Sequence, residues 1–201
     1  MLSLTPFTSD ERDLLDRRGI RAIDPIASER DDRNQEIGAL QARHLIRRGH
    51  TRLAVARLQD TRQDPFGEGR EVGVRNECAR AGLPVPASVR LDIDLNQALA
   101  ALDSLGPEPV GVVCYNDDVA TALLSAAKVQ GRRVPADIAI IGMDHTPLSQ
   151  VTLPRLTTVA YNTSVPSQNF ITAMLGTLRG SETPVPVPAD IELKLIPGDT
   201  T

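Results

Sequence analysis

From Asn34 onward the apolar positions fall into a repeating alternation of two periods. Ile37, Leu40, His44 and Leu45 recur at helical spacing, with Arg47 and Arg48 in the closing turn and Gly49 as the stop. Arg52 to Leu58, carrying Leu53 and Val55, predicts a strand. The Gly-, Pro- and charge-rich loop Gln59 to Gly69 leads into a helix through Val72, Gly73, Cys78 and Ala79, stopped at Gly82. The alternation then repeats with a strand at Val89 to Ile93 and a helix on Leu95, Leu99, Leu102 and Leu105. Asp94, with Gln97 three residues on, opens that helix in the manner of a capping box. Val110 to Cys114 and Ile138 to Gly142 are unbroken apolar runs of strand length, which suits parallel strands buried on both faces. Between them a helix carries Ala120, Leu123, Leu124 and Ala127, with Asn116 and Asp117 as its N-caps and Gly131 as its end. After an irregular loop, Met143 to Leu156, come a strand at Thr157 to Val159, a helix from about Pro166 to Leu178 and a Pro-rich stretch, Thr183 to Pro188. A last strand runs through Ile191, Leu193 and Leu195. Ahead of Asn34, Ser9-Asp10-Glu11 starts a short helix ending near Gly19, and Ile20 to Ile26 offers a short strand. Strands alternating with helices predict an α/β fold, a parallel sheet flanked by helices and joined by right-handed crossovers.

Composition narrows the class. The 201 residues suffice for one domain or two small lobes, and the net charge is −4. The apolar share is 41%, but the aromatics number five: Phe7, Phe66, Phe170, Tyr115 and Tyr161. No run approaches a membrane span, and the opening Met1 to Pro6 has no basic region before a long apolar one, so a cytoplasmic protein is expected. Cys78 and Cys114 then read as reduced, buried small hydrophobes. All but Lys128 and Lys194 of the 22 basic residues are arginine, interleaved with acids as in Asp31-Asp32-Arg33, so no direct DNA contact is expected.

In an open parallel sheet, ligands bind outside the carboxyl ends of the strands. That rule selects Asn116 after the strand 110–114, Asp144 after 138–142, and the loop with Asp64, Phe66 and Arg70 after the strand ending near Leu58. An amide, a carboxylate and a guanidinium beside an aromatic ring suit a small polyol, whose hydroxyls need both donors and acceptors. Each also has a structural reading: Asn116 as a helix cap, Asp144 as a partner for loop amides, Arg70 as an exposed ion pair. Catalytic patterns are not met. Asp144, His145 and Ser149 supply the types of a hydrolase triad, but they share one loop and lack a Gly-x-Ser-x-Gly elbow. His44 and His50 straddle a helix end with no third metal ligand nearby. The expectation is a binding protein and not an enzyme, with no cofactor and no metal.

Five stretches carry a family resemblance: Ala42 to Ala54, Arg70 to Gly73, Tyr115 to Ala120, Gly131 to Asp144 and Leu153 to Val159. In order and spacing they resemble the effector-binding core of the LacI/GalR family of bacterial transcriptional regulators. The resemblance implies a two-lobed fold like that of type I periplasmic sugar-binding proteins, with the effector in a cleft between lobes. Residues 1–48 and 161–180 would be a partial N-terminal lobe, and 49–160 with 181–201 a complete C-terminal lobe. Arg70, Asn116 and Asp144 match the family's effector-contacting residues, with Phe66 beside them. It also implies a homodimer through Ala120, Thr121, Leu124, Val151 and Leu153, for which ordinary packing is the alternative. The family's helix-turn-helix DNA reader has no counterpart in these 201 residues, and most opening units of the N-terminal lobe are missing. His145 stands where a second Asp is common, and Pro197-Gly198-Asp199 replaces the usual Arg-Glu-Ser ending. The missing strands would leave an unpaired edge, so residues 1–48 and 161–180 are expected to be less stable than the rest. The resulting expectation is a sugar-sensing domain of a regulator. Alternatives are a solute-binding protein of the same fold, an enzyme of sugar metabolism, or a remnant without ligand.

Overall fold

Strands whose alternate side chains are apolar on both faces must be covered twice, and that requirement organises the molecule. A computed structural model of the chain describes residues 7–20, 27–60, 64, 66–161, 175 and 192–201. Its strands are β1 (Leu53–Leu58), β2 (Ala87–Leu91), β3 (Val110–Cys114), β4 (Ile138–Met143), β5 (Thr157–Tyr161) and β6 (Leu193–Ile196). The described helices are α1 (Ser9–Arg17), α2 (Ala27–Arg47), α3 (Gly67–Arg80), α4 (Leu95–Leu105) and α5 (Asp117–Val129). The sheet order is β2-β1-β3-β4-β5-β6. The first five strands are mutually parallel; β6 runs antiparallel to β5, pairing Val159 with Leu195, which departs from the all-parallel expectation.

Leu53, Val55, Val113, Ala139 and Ile141 pack with Ile37, Leu45, Val74 and Cys78 of α2 and α3 on one face. Ala54, Ala56, Val112, Ile138 and Ile140 pack with Leu102, Leu105, Leu123 and Ala127 of α4 and α5 on the other. Both cysteines are buried and unpaired. Among the described residues no helix is long and apolar enough to cross a membrane.

Caps form where the sequence offers them. Thr8 and Glu11 make a capping box on α1, Asp94 accepts from Gln97 N–H on α4, and Asn116 accepts from Val119 N–H on α5. The second strand lies two residues earlier than expected, leaving Ile93 outside it and exposed. Of the strand expected over 20–26, residues 21–26 lie outside the described residues. The same holds for the helix over 166–178, apart from Leu175, and for Thr183 to Pro188.

The chain divides into two packing units, Met1–Asp32 with Asn162–Ile191, and Arg33–Tyr161 with Glu192–Thr201. The boundary therefore falls after residue 32 and not after 48. The reason is apolar: Ile37, Ala42 and Leu45 are buried against the sheet, so most of α2 belongs to the larger unit. Tyr161, expected in the smaller part, completes β5 and stays with the sheet.

Candidate functional site

The strand order reverses between β1 and β3, and at such a switch the loops leaving neighbouring strands part and open a crevice. Arg70, in the first turn of α3 after β1, and Tyr115 and Asn116, directly after β3, flank that point. Asp144 follows β4, and Tyr161 ends β5. Four neighbouring carboxyl ends thus present these side chains on one edge of the sheet.

Arg70 is only 4% exposed. Its Nε donates to Asn34 Oδ1 at 3.3 Å, one Nη to the Tyr115 carbonyl and the other to the Tyr161 hydroxyl at 3.4 Å. The guanidinium lies 4.7 Å from the Tyr115 ring centre and 5.9 Å from that of Phe66, within cation–π range. It makes no ion pair among the described residues; neutral oxygens and ring faces hold it. Among the described residues three of its five N–H donors are used, which leaves two. The backbone comes close as well: a Cβ at Gly38 would stand 2.0 Å from the Arg70 carbonyl oxygen, so glycine lets α2 seat directly on this turn of α3.

Three of the five aromatic residues of the chain thus converge on one guanidinium. Phe66 was chosen from the sequence; Tyr115 and Tyr161 were not, although the position of Tyr115 between β3 and Asn116 could have flagged it. Asn34 and Gln41 were also missed. Gln41 is buried within α2 and its Nε2 donates to the carbonyls of Cys114 (3.1 Å) and Gly142 (2.9 Å), pinning the ends of β3 and β4 side by side.

Asp144 adopts a left-handed backbone (φ 103), and its N–H donates to the Val159 carbonyl at 2.8 Å. Its carboxylate makes no hydrogen bond among the described residues. Desolvation raises its pKa, the Arg70 charge lowers it, and Asp117 and Asp118 raise it further. The Tyr115 hydroxyl, likewise unbonded among the described residues, is pushed up to about 12 by burial and feels Arg70, Asp64, Asp144 and Tyr161. Burial raises Tyr161 too, against Arg70. These groups share one electrostatic neighbourhood. Asn116 fulfils its structural reading, since Oδ1 caps α5 at 2.9 Å from Val119 N, but its amide nitrogen has no bond among the described residues.

Other candidates are committed elsewhere. Asp64 is buried, its Oδ2 paired with Arg57 Nε (2.7 Å) and Arg90 Nη1 (3.1 Å), so it serves an ion-pair network. Ser149 is buried and its hydroxyl donates to the Thr146 carbonyl. His44 Nε2 lies 2.8 Å from Thr201 Oγ1. Of the expected dimer residues, Ala120 and Leu124 are buried in the protomer's own core, because they face the sheet from α5; this corrects their assignment to a surface. Thr121 is half-buried with its hydroxyl on the Asp117 carbonyl, and Val151 and Leu153 are exposed. Among the described residues no His, Cys, Asp or Glu cluster could hold a metal ion.

The open, mostly parallel sheet, wrapped on both faces and carrying its polar residues at the strand ends, has the architecture of periplasmic-binding-protein-like α/β domains. The chain belongs to the periplasmic binding protein-like domain family, which matches residues 42–201. Among curated proteins it is similar to the HTH-type transcriptional repressor PurR of Vibrio campbellii, 28% identical over 172 residues, covering 79% of this chain and 51% of the repressor. The chain spans about half the length of the curated relatives it matches. Similar solved structures include a putative transcriptional regulator LacI from Bacillus cereus subsp. cytotoxis, with a TM-score of 0.80 at 19% identity, covering 98% of this chain and 73% of that one. Another is a transcriptional regulator CelR–cellobiose complex, with a TM-score of 0.77 at 23% identity, covering 100% and 64%. The resemblance to LacI/GalR regulators read from the sequence is borne out.

Proposed function

We propose that this chain is the non-catalytic, ligand-sensing part of a LacI/GalR-type transcriptional regulator of the cytoplasm, and that it binds a sugar or a similar small polyhydroxylated molecule. One observation carries the reading: Arg70, after β1, and Asp144, after β4, have opposite charges on either side of β3 and lie in each other's field, yet do not pair among the described residues. A hydroxylated guest satisfies both, accepting from the remaining guanidinium donors and donating to the carboxylate. The amide nitrogen of Asn116 and the hydroxyl of Tyr115 add a donor and a donor–acceptor, and the ring of Phe66 covers an apolar C–H face. In a regulator such a ligand would favour one conformation and so change operator affinity by differential binding. Self-association through Val151 and Leu153 belongs to the same reading.

Calorimetric titration with cellobiose, monosaccharides and nucleobases tests it. A binder is expected among the sugars, and Arg70→Ala or Asp144→Asn should each weaken it by about tenfold to a hundredfold or more, the cost of a charged hydrogen bond at about 1.5–3 kcal/mol. A sugar bound equally well by parent and both variants would move the site elsewhere.

A further inference from the structure

Asp117 opens α5 and is almost fully buried, yet no cation pairs with it among the described residues. Its carboxylate is filled by three donors from two other elements. Oδ1 accepts from Thr158 Oγ1 on β5 at 2.5 Å, while Oδ2 accepts from the Thr146 N–H at 2.7 Å and the Thr146 hydroxyl at 3.1 Å. The reach crosses β4 at Gly142, where a Cβ would stand 2.2 Å from Oδ1. One carboxylate therefore straps β5 and the segment leaving β4 to the start of α5.

Only Asp144 and His145 separate the end of β4 from Thr146, and both have positive φ, 103° and 52°. Side-chain-bearing residues rarely take that conformation, and two in succession persist only where their surroundings hold them. Here both flanks are held. The Asp144 N–H donates to the Val159 carbonyl, the His145 N–H to Thr158 Oγ1 at 3.4 Å, and Thr146 sits on Asp117. Thr158 thus joins the strap to the turn: its hydroxyl donates to Asp117 and accepts from His145.

We propose that Asp117 is the positioning residue of the candidate binding site: by anchoring Thr146 and Thr158 it fixes the left-handed Asp144–His145 turn and so keeps the Asp144 carboxylate within the field of Arg70. The consequence for ligand affinity rests on the proposed function; the placement of Asp144 does not, and the experiment reads that placement in unliganded protein. Two variants are compared by NMR. Asp117→Asn removes the charge and part of the acceptor capacity, and Thr158→Val removes one strap while the charge stays. Both are expected to speed amide exchange at residues 144–146 at least tenfold more than in β1 and β3. Both should also shift the Asp144 and His145 Cα and Cβ resonances away from left-handed values. In Thr158→Val the Asp144 carboxyl, whose charged and titratable neighbours are Arg70, Asp117, Asp118, Tyr115 and Tyr161, should titrate closer to the ordinary aspartate range. Parent-like exchange and shifts at 144–146 in both variants would overturn the proposal, and so would loosening spread evenly over β1 to β5 in step with a lower Tm. Loss of the sugar-binding reading in titration would leave these unliganded results as they stand, so the two fail separately.

Discussion

At the residue scale, the site sets stability against recognition. Asp144 keeps an open surface, but crowding raises its pKa above the ordinary value of 3.8, with Asp117 and Asp118 pushing the same way and Arg70 opposing. A carboxyl raised on folding holds its proton more tightly in the folded than in the unfolded chain. Stability therefore falls as pH rises from the ordinary aspartate range through the folded pKa, and the deficit remains at neutral pH. Asp144→Asn removes that deficit. It should make the protein more stable than the parent towards urea at pH 7, with the advantage vanishing at pH values below 3.8, while lowering ligand affinity. Asn and Asp tolerate left-handed backbone alike, so the pH dependence isolates the charge. An advantage that is absent at pH 7, or equal at both pH values, would show that desolvation of this carboxylate costs the fold nothing.

At the scale of elements, the legible parts were those written locally. Continuous apolar runs located β3 residue for residue and β4 to within one residue, and Asp94 and Asn116 marked helix starts through their own side chains. What the sequence did not disclose was relational. The antiparallel setting of β6 depends on where the chain re-enters the sheet, and a four-residue strand carries no mark of direction. The strand-end rule found Arg70, Asn116 and Asp144 because it needs only element order, whereas Tyr161 and Asn34 reach Arg70 from parts of the chain distant in sequence. Asp117, read only as a cap, turned out to strap three elements. The assignment of α2 away from the sheet followed family matching and not its own buried stripe of Ile37, Ala42 and Leu45. That stripe makes a prediction. Amides of residues 37–45 should exchange as slowly as those of β3 and β4 in native-state hydrogen exchange, since these elements share one core. Protection there limited to the level of α1 would return α2 to the smaller unit.

At the scale of the whole molecule, the exposed apolar side chains bear on assembly. Leu153 is 88% exposed and Val151 71%, and Leu148, just before them in the chain, lines a groove of about 210 Å³ with Ile93, Leu95 and Ala122. Scattered exposed hydrophobics are ordinary, but two strongly exposed ones three and five residues after a side chain that lines a mostly apolar groove make this loop the place to test for self-association. Ala120 and Leu124 are buried in the protomer's own core, and the groove is lined by the loop after β4, the start of α4 and the middle of α5. Its geometry links assembly to the site: the loop that carries Val151 and Leu153 begins at Asp144 and is strapped by Asp117. Leu153→Glu places a charge that must be desolvated if two copies meet there, while Val85→Glu, in the turn before β2, alters an equally exposed residue elsewhere. In sedimentation velocity at micromolar concentration the parent and Val85→Glu are expected to be dimers and Leu153→Glu a monomer, with Tm near the parent's when extrapolated to low concentration. A monomeric parent, or a Leu153→Glu variant that still dimerises, would mean that this face is covered by something other than a second copy.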